Sequence, residues 1–181
     1  AALYVAGRDL APPAANKALN ESYDGSSWTE AADINTARHA LGGSGTTAAG
    51  LVFGGAEPSD SAKSESWDGS SWTEVGDLNT ARSYLASAFQ ATSSSSLAFG
   101  GQTTLVATEY FDGTSWSELN NLATGRNQHG GAGTGTAGLA FGGSPPGPSY
   151  NTATEEWNWT STLAAGAWAS GGNLNNTRSA F

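Results

Sequence analysis

SYDGSSWTEAADINTAR, residues 22–38, decides the reading of this chain, because it comes back twice almost unchanged. It returns as SWDGSSWTEVGDLNTAR at 66–82 and as YFDGTSWSELNNLATGR at 110–126. A looser fourth copy runs from Trp157 into AWASGGNLNNTR, residues 167–178. The spacing from Trp to Arg is ten residues each time, in the pairs Trp28 and Arg38, Trp72 and Arg82, Trp116 and Arg126, Trp168 and Arg178. Steps between equivalent Trp residues are 44, 44 and 52, the last lengthened by an insertion and a longer loop in the fourth unit. A period of this size marks an array of supersecondary units rather than one continuous pattern.

A second block follows each Arg after a stretch rich in Gly, Ser and Thr: LVFGG (51–55), LAFGG (97–101) and LAFGG (139–143), with a degenerate copy LYVAG at 3–7. Period-two alternation puts Leu51 and Phe53 on one face of a strand and Val52 on the other. The Gly-Gly doublet ends that strand where the backbone turns tightly. A Glu follows at 21, 65, 109 or 155, and two residues later an aromatic at Tyr23, Trp67, Phe111 or Trp157. Asp24-Gly25, Asp68-Gly69 and Asp112-Gly113 are hairpin-turn dipeptides, and the repeat Trp starts the returning strand. Small residues such as Gly42, Gly43, Gly130 and Gly131 suit strands crowded around an axis. Four short strands per unit, repeated radially, predict an all-β β-propeller. The expectation is four blades of four antiparallel strands in one domain, residues 1–181. Strands from both termini would share the closing blade, unless the chain is a fragment of a larger propeller.

Composition agrees with many short strands: 25 Gly and 7 Trp, with no Cys or Met, in 181 residues. No apolar run is long enough for a membrane-spanning helix. A net charge of −9 argues against nucleic acid, whose phosphates demand a basic surface, and against anionic membranes. The lack of Cys removes disulfides, thiolate metal sites and Cys nucleophiles. His39 and His129 sit at different offsets from the repeat Arg and form no metal pair. No nucleophile elbow, P-loop or dinucleotide fingerprint is present. No enzyme, metal or cofactor is expected.

The Gly-Gly doublet after an apolar strand, the aromatic-Asp turn, the Trp five residues after the aromatic and the Arg ten residues later resemble the kelch repeat, across almost the whole chain. The Asp-Gly turn is shorter than in that family, and the fourth unit has Asn158-Trp159 in its place. The Ser- and Thr-rich wording is similar to kelch-like repeats in structural and tail proteins of marine bacteriophages. The resemblance implies that Arg38, Arg82, Arg126 and Arg178 lie near the mouth of a central channel, where they would ring a pocket for a carboxylate, phosphate or acidic sugar. The alternative is that each Arg braces neighbouring blades, paired with one of the recurrent Glu residues. Radical copper oxidases also carry kelch propellers, but they use a Cys-linked Tyr that this chain cannot make.

Loops between the Gly-Gly and the Glu differ most between units, and variable loops on a rigid scaffold carry recognition. Their most usable side chains are Arg8, Lys17, Lys63 and Tyr150. Trp159 and Leu163 belong to the fourth-unit insertion, without counterparts elsewhere, and suit a partner contact or a local cap. The repeat Trp residues are expected between blades. Together these features predict a non-enzymatic recognition module for a glycan or protein ligand, on a virion or in another extracellular setting. The alternative is a building block that self-associates into a fibre or shell. A glycan-active hydrolase or lyase is the third reading.

Overall fold

A computed structural model of the protein describes residues 1–10, 14–102, 105–145, 150–159 and 167–174; Leu163 and Arg178 lie outside them. The described residues form strands in this order: β1 (Ala2–Asp9), β2 (Ala15–Tyr23), β3 (Trp28–Ala31), β4 (Gly42–Gly45), β5 (Gly50–Phe53), β6 (Ala56–Glu57), β7 (Ser59–Asp60), β8 (Ser64–Trp67) and β9 (Trp72–Glu74). Then come β10 (Ala86–Ser87), β11 (Ser96–Phe99), β12 (Thr108–Phe111), β13 (Trp116–Leu119), β14 (Gly130–Gly133), β15 (Ala137–Phe141), β16 (Thr154–Asn158) and β17 (Ala167–Ser170). All pairing is antiparallel. Three sheets have four strands, in the orders β4-β5-β8-β9, β10-β11-β12-β13 and β14-β15-β16-β17. The first sheet, β1-β2-β3, has three among the described residues; β6 and β7 form a separate two-stranded ribbon.

The repeats occupy equivalent places. Leu3, Leu51 and Leu97 pair with Ser22, Ser66 and Tyr110, and Glu21, Glu65 and Glu109 with Glu30, Glu74 and Glu118. The Asp-Gly turns are built alike. Asp24 Oδ1 accepts from the Ser26 and Ser27 N–H at 2.7 and 2.9 Å, and Asp68 does the same with Ser70 and Ser71. Asp112 does so with Thr114 and Ser115. Gly25, Gly69 and Gly113 follow at φ 115°, 97° and 99°, a region a Cβ disfavours.

Alternation along each Leu-x-Phe strand sends residues to two different interfaces. Leu51 and Phe53 pack with Ala98, Phe111 and Trp116 of the third sheet, while Val52 packs with Trp67, Trp72 and residues of the first. A third cluster joins Leu97 and Phe99 to Ala140 and Trp157 of the fourth sheet. The core is therefore three successive sheet-on-sheet layers, each anchored by repeat aromatics whose burial contributes about 1.5–3 kcal/mol apiece. Trp72 and Trp116 are buried as expected, but Trp28, at the start of β3 in the first sheet, is 52% exposed, and Tyr4 on β1 53%. The edge strands β4, β10 and β14 approach one another closely. Ser87 Oγ donates to Gly43 O at 2.7 Å, and a Cβ on Gly131 would lie 2.3 Å from Ser87 O. Only small residues allow such an approach.

Candidate functional site

Arg38, Arg82 and Arg126 are fully buried, which corrects the expectation of an open Arg-lined pocket. Each leaves the end of one repeat and pairs with the recurrent Glu of the next sheet: Arg38 Nη1 with Glu65 Oε1 at 2.7 Å, Arg82 Nη2 with Glu109 Oε1, and Arg126 Nη2 with Glu155 Oε1 at 2.6 Å. Arg82 Nη1 also donates to Ala107 O at 2.7 Å, and Arg126 Nη1 to Ala153 O at 2.9 Å. The other carboxylate oxygen accepts the backbone N–H three residues before the Arg, from Asn35, Asn79 or Ala123, at 2.6 to 2.7 Å. A carboxylate buried in this way needs several donors, and the repeat supplies them. Burial pulls the Arg82 guanidinium below its ordinary value and Glu109 opposes the shift. These groups are braces between sheets, the alternative weighed from the sequence.

The residues that face open space come two positions later. Ala40, Tyr84 and Gln128 each follow the brace Arg by two and each adopts a left-handed backbone, with φ 55°, 52° and 49°. Non-glycine residues hold that conformation at a cost of about 1–3 kcal/mol. A chain of backbone bonds holds it: Tyr84 N–H donates to Ala40 O at 2.9 Å, and Gln128 N–H to Tyr84 O at 3.0 Å. These three line a cavity of about 620 Å³ with Arg8, His39, Phe89 and the Gly130-Gly131 pair. Residues from all four sheets or their approach segments reach it, from Gly7 on β1 to Phe141 on β15.

Donors and rings line the cavity together. Arg8 is exposed. His39 Nδ1 lies 2.9 Å from Asn16 Oδ1; that oxygen can only accept, so Nδ1 carries the hydrogen and Nε2 is left as the acceptor. His129 differs: both its ring nitrogens are buried without a hydrogen-bond partner. Burial first, and Arg126 second, push its pKa down to about 3, so it is neutral. Phe89 is 62% exposed at the cavity wall.

Of the sequence-derived candidates, Arg8 reaches this cavity. Lys17 and Lys63 do not line it: Lys17 pairs with Asp9 at 3.8 Å, and Lys63 with Glu57 at 3.3 Å and Thr36 Oγ1 at 3.1 Å. Tyr150 is 53% exposed elsewhere. Trp159 packs against Tyr110 with ring centres 5.2 Å apart and the rings tilted by 52°, which ties it to the third sheet. His39, Tyr84 and Gln128 were missed. The available signal was that Ala40, Tyr84 and Gln128, at the same offset from a repeat Arg, carry three different side chains.

These features define an all-β protein of repeated antiparallel sheets stacked face to face around a shared cavity. The fold is similar to that of the solved structure of YjhT, with a TM-score of 0.71 at 12% identity. The match covers 85% of this chain and 52% of that one, so the chain spans about half the length of YjhT. Comparison with protein families finds no match, and comparison with curated proteins finds none either.

Proposed function

We propose that the chain is a non-enzymatic recognition module of kelch-like propeller architecture, its four sheets serving as blades around the shared cavity, and that the cavity binds a glycan. The observation that carries this is the trio Ala40, Tyr84 and Gln128: one backbone geometry, three different side chains, one cavity. Differing side chains held on one repeated backbone geometry are how recognition surfaces are built. The Tyr84 and Phe89 rings offer apolar faces for the C–H side of a sugar. Gln128 and Arg8 offer donors for its hydroxyls, and His39 Nε2 an acceptor. Concave, mostly apolar cavities with a few convergent polar groups are the usual form of small-ligand sites.

The test is a glycan array followed by calorimetric titration of the best binder. A saturable glycan is expected, with Tyr84→Ala weakening it about tenfold or more while the melting temperature stays near that of the parent. No saturable glycan, or unchanged affinity in Tyr84→Ala and Gln128→Ala together, overturns the reading.

A second reading, a building block that self-associates, draws on the exposed Tyr4 and Trp28 of the first sheet, since their counterparts Val52 and Trp72 are covered by a neighbouring sheet. Light scattering decides it: a mass that rises with concentration, and falls back in Trp28→Ser, supports assembly.

A further inference from the structure

The residues directly after Arg38 and Arg82 each hydrogen-bond to an acceptor in the repeat that precedes them. Ser83 Oγ donates to Asp60 Oδ1 at 2.6 Å, and His39 Nδ1 to Asn16 Oδ1 at 2.9 Å. The serine spends its one oxygen there; Ser83 is 2% exposed and does not line the 620 Å³ cavity. Histidine carries a second nitrogen on the far side of its ring, and His39 does line the cavity.

What fixes that ring begins at a backbone carbonyl. Ala56 O can only accept, and it takes the His39 N–H at 3.3 Å and Asn16 Nδ2 at 2.9 Å. The Asn16 amide therefore presents its nitrogen to Ala56 and its oxygen to His39. That oxygen also can only accept, which puts the imidazole hydrogen on Nδ1 and the lone pair on Nε2. The Tyr84 ring meets the imidazole edge-on, at 85° with centres 6.2 Å apart. Tautomer and ring position are thus both set from outside the histidine.

We propose that Asn16 is a positioning residue for the cavity: by fixing the His39 tautomer it makes Nε2 an obligate acceptor, so the ligand must bring a free hydroxyl to this point. The proposal rests on the cavity being the ligand site, as read above, and narrows the glycan to one whose hydroxyl facing His39 is unsubstituted. A methyl ether or a carboxylate in that place would set lone pair against lone pair and leave Nε2 without a donor. Arg8, which pairs in register with Asn16 on the neighbouring strand, and Gln128 remain for the acceptor oxygens of the sugar.

The tautomer is read first, with no ligand, from long-range proton–nitrogen correlation spectra at about pH 8.5, above the ordinary His range. His39 is expected as the Nδ1–H form in the parent and in Asn16→Asp, which keeps the acceptor for His39 but loses the bond to Ala56 O. In Asn16→Leu a substantial share of molecules should carry the hydrogen on Nε2. Phenol, an aromatic ring with one hydroxyl, is then titrated against anisole, its methyl ether. Phenol should move the His39 Nε2 resonance and anisole should not. Asn16→Leu should weaken phenol about fivefold, while Asn16→Asp binds it as the parent does. The proposal is overturned if the parent carries its hydrogen on Nε2, or if Asn16→Leu leaves the tautomer unchanged. It is equally overturned if tens of millimolar phenol leave Nε2 unmoved, if anisole moves it as far, or if the two Asn16 variants weaken phenol alike, which would make Asn16 only a tie to Ala56. Should Asn16→Leu not fold, the parent spectrum and the phenol–anisole pair still decide. The tautomer is read without any sugar, so a silent glycan array and a wrong tautomer are separate failures.

Discussion

Removing one inter-sheet brace should cost several times as much as removing an exposed ion pair. In Arg82→Ala, Glu109 stays buried while its guanidinium partner disappears, and Ala107 O loses its 2.7 Å donor. Breaking a buried pair from one side costs about 3–5 kcal/mol. Glu109 keeps the Asn79 N–H at 2.7 Å, Asn79 Nδ2 at 2.9 Å and the Thr80 N–H at 3.2 Å, which limits the loss; a lost acceptor partner adds about 1 kcal/mol. The expected net is about 4 kcal/mol, a fall in melting temperature of roughly 8–16 °C for a domain of this size. Urea unfolding followed by Trp fluorescence reads it directly. Lys17→Ala, which removes the half-exposed pair with Asp9, should cost no more than about 1 kcal/mol. Arg82→Met combined with Glu109→Gln should be more stable than Arg82→Met by itself, because the stranded charge is gone while an acceptor for Asn79 remains. Arg82→Ala within about 1 kcal/mol of the parent, or no relief from Glu109→Gln, would refute the brace.

Three further outcomes follow from the same geometry. Gly131→Ala should destabilise by about 1–3 kcal/mol in urea unfolding through the clash with Ser87 O, while Gly172→Ala, where a Cβ meets nothing within 4 Å, should be neutral. His129, held neutral with a pKa of about 3, binds its proton more readily once unfolded; stability should therefore fall as pH drops from about 6.5 toward 3, by up to about 1.4 kcal/mol per pH unit. His129→Leu, the residue found at the equivalent positions 41 and 85, should flatten that limb in pH-dependent denaturation and remove two unpartnered nitrogens. The backbone N–H and hydroxyl donors around Asp24, Asp68 and Asp112 hold these carboxylates below the ordinary range, Asp68 at about 2; the turns should keep their stabilisation above about pH 4 and lose it toward pH 2, visible as faster amide exchange at Ser70 and Ser71 that Asp68→Asn reproduces at neutral pH.

Strand order, turn positions and the layered core were legible because each rests on local spacing. Leu51-Val52-Phe53 alternates, Asp24-Gly25 turns, and small residues such as Gly43 and Gly131 pack where strands crowd; short-range sterics dictate all three. The three strands described in the first sheet were legible only in part, as a closing blade shared between the termini. LYVAG matches LVFGG closely enough to be recognised as the same strand, and nothing in its letters tells whether another strand lies beside it. Pairing across a sheet edge is a long-range property, and the Tyr4 and Trp28 exposures are likewise visible only in three dimensions.

The site shows the limit of periodic reasoning more sharply. An invariant Arg in every unit satisfies two opposite descriptions, a charged ring facing a ligand and a charged brace facing a neighbour, because recurrence says that a side chain serves the repeat without saying which way it points. Desolvation decides between them: a guanidinium at 0% exposure with a carboxylate on it presents no donor to solvent or to a ligand. Once Arg38, Arg82 and Arg126 are assigned to holding sheets together, their constancy becomes the reason for variation two residues on. The brace and the backbone bonds from Tyr84 to Ala40 and from Gln128 to Tyr84 hold the left-handed corner whatever side chain it carries. Ala, Tyr and Gln can therefore replace one another there without changing the frame. Specificity in such a repeat is to be sought at the position the frame leaves free, beside the residue it keeps.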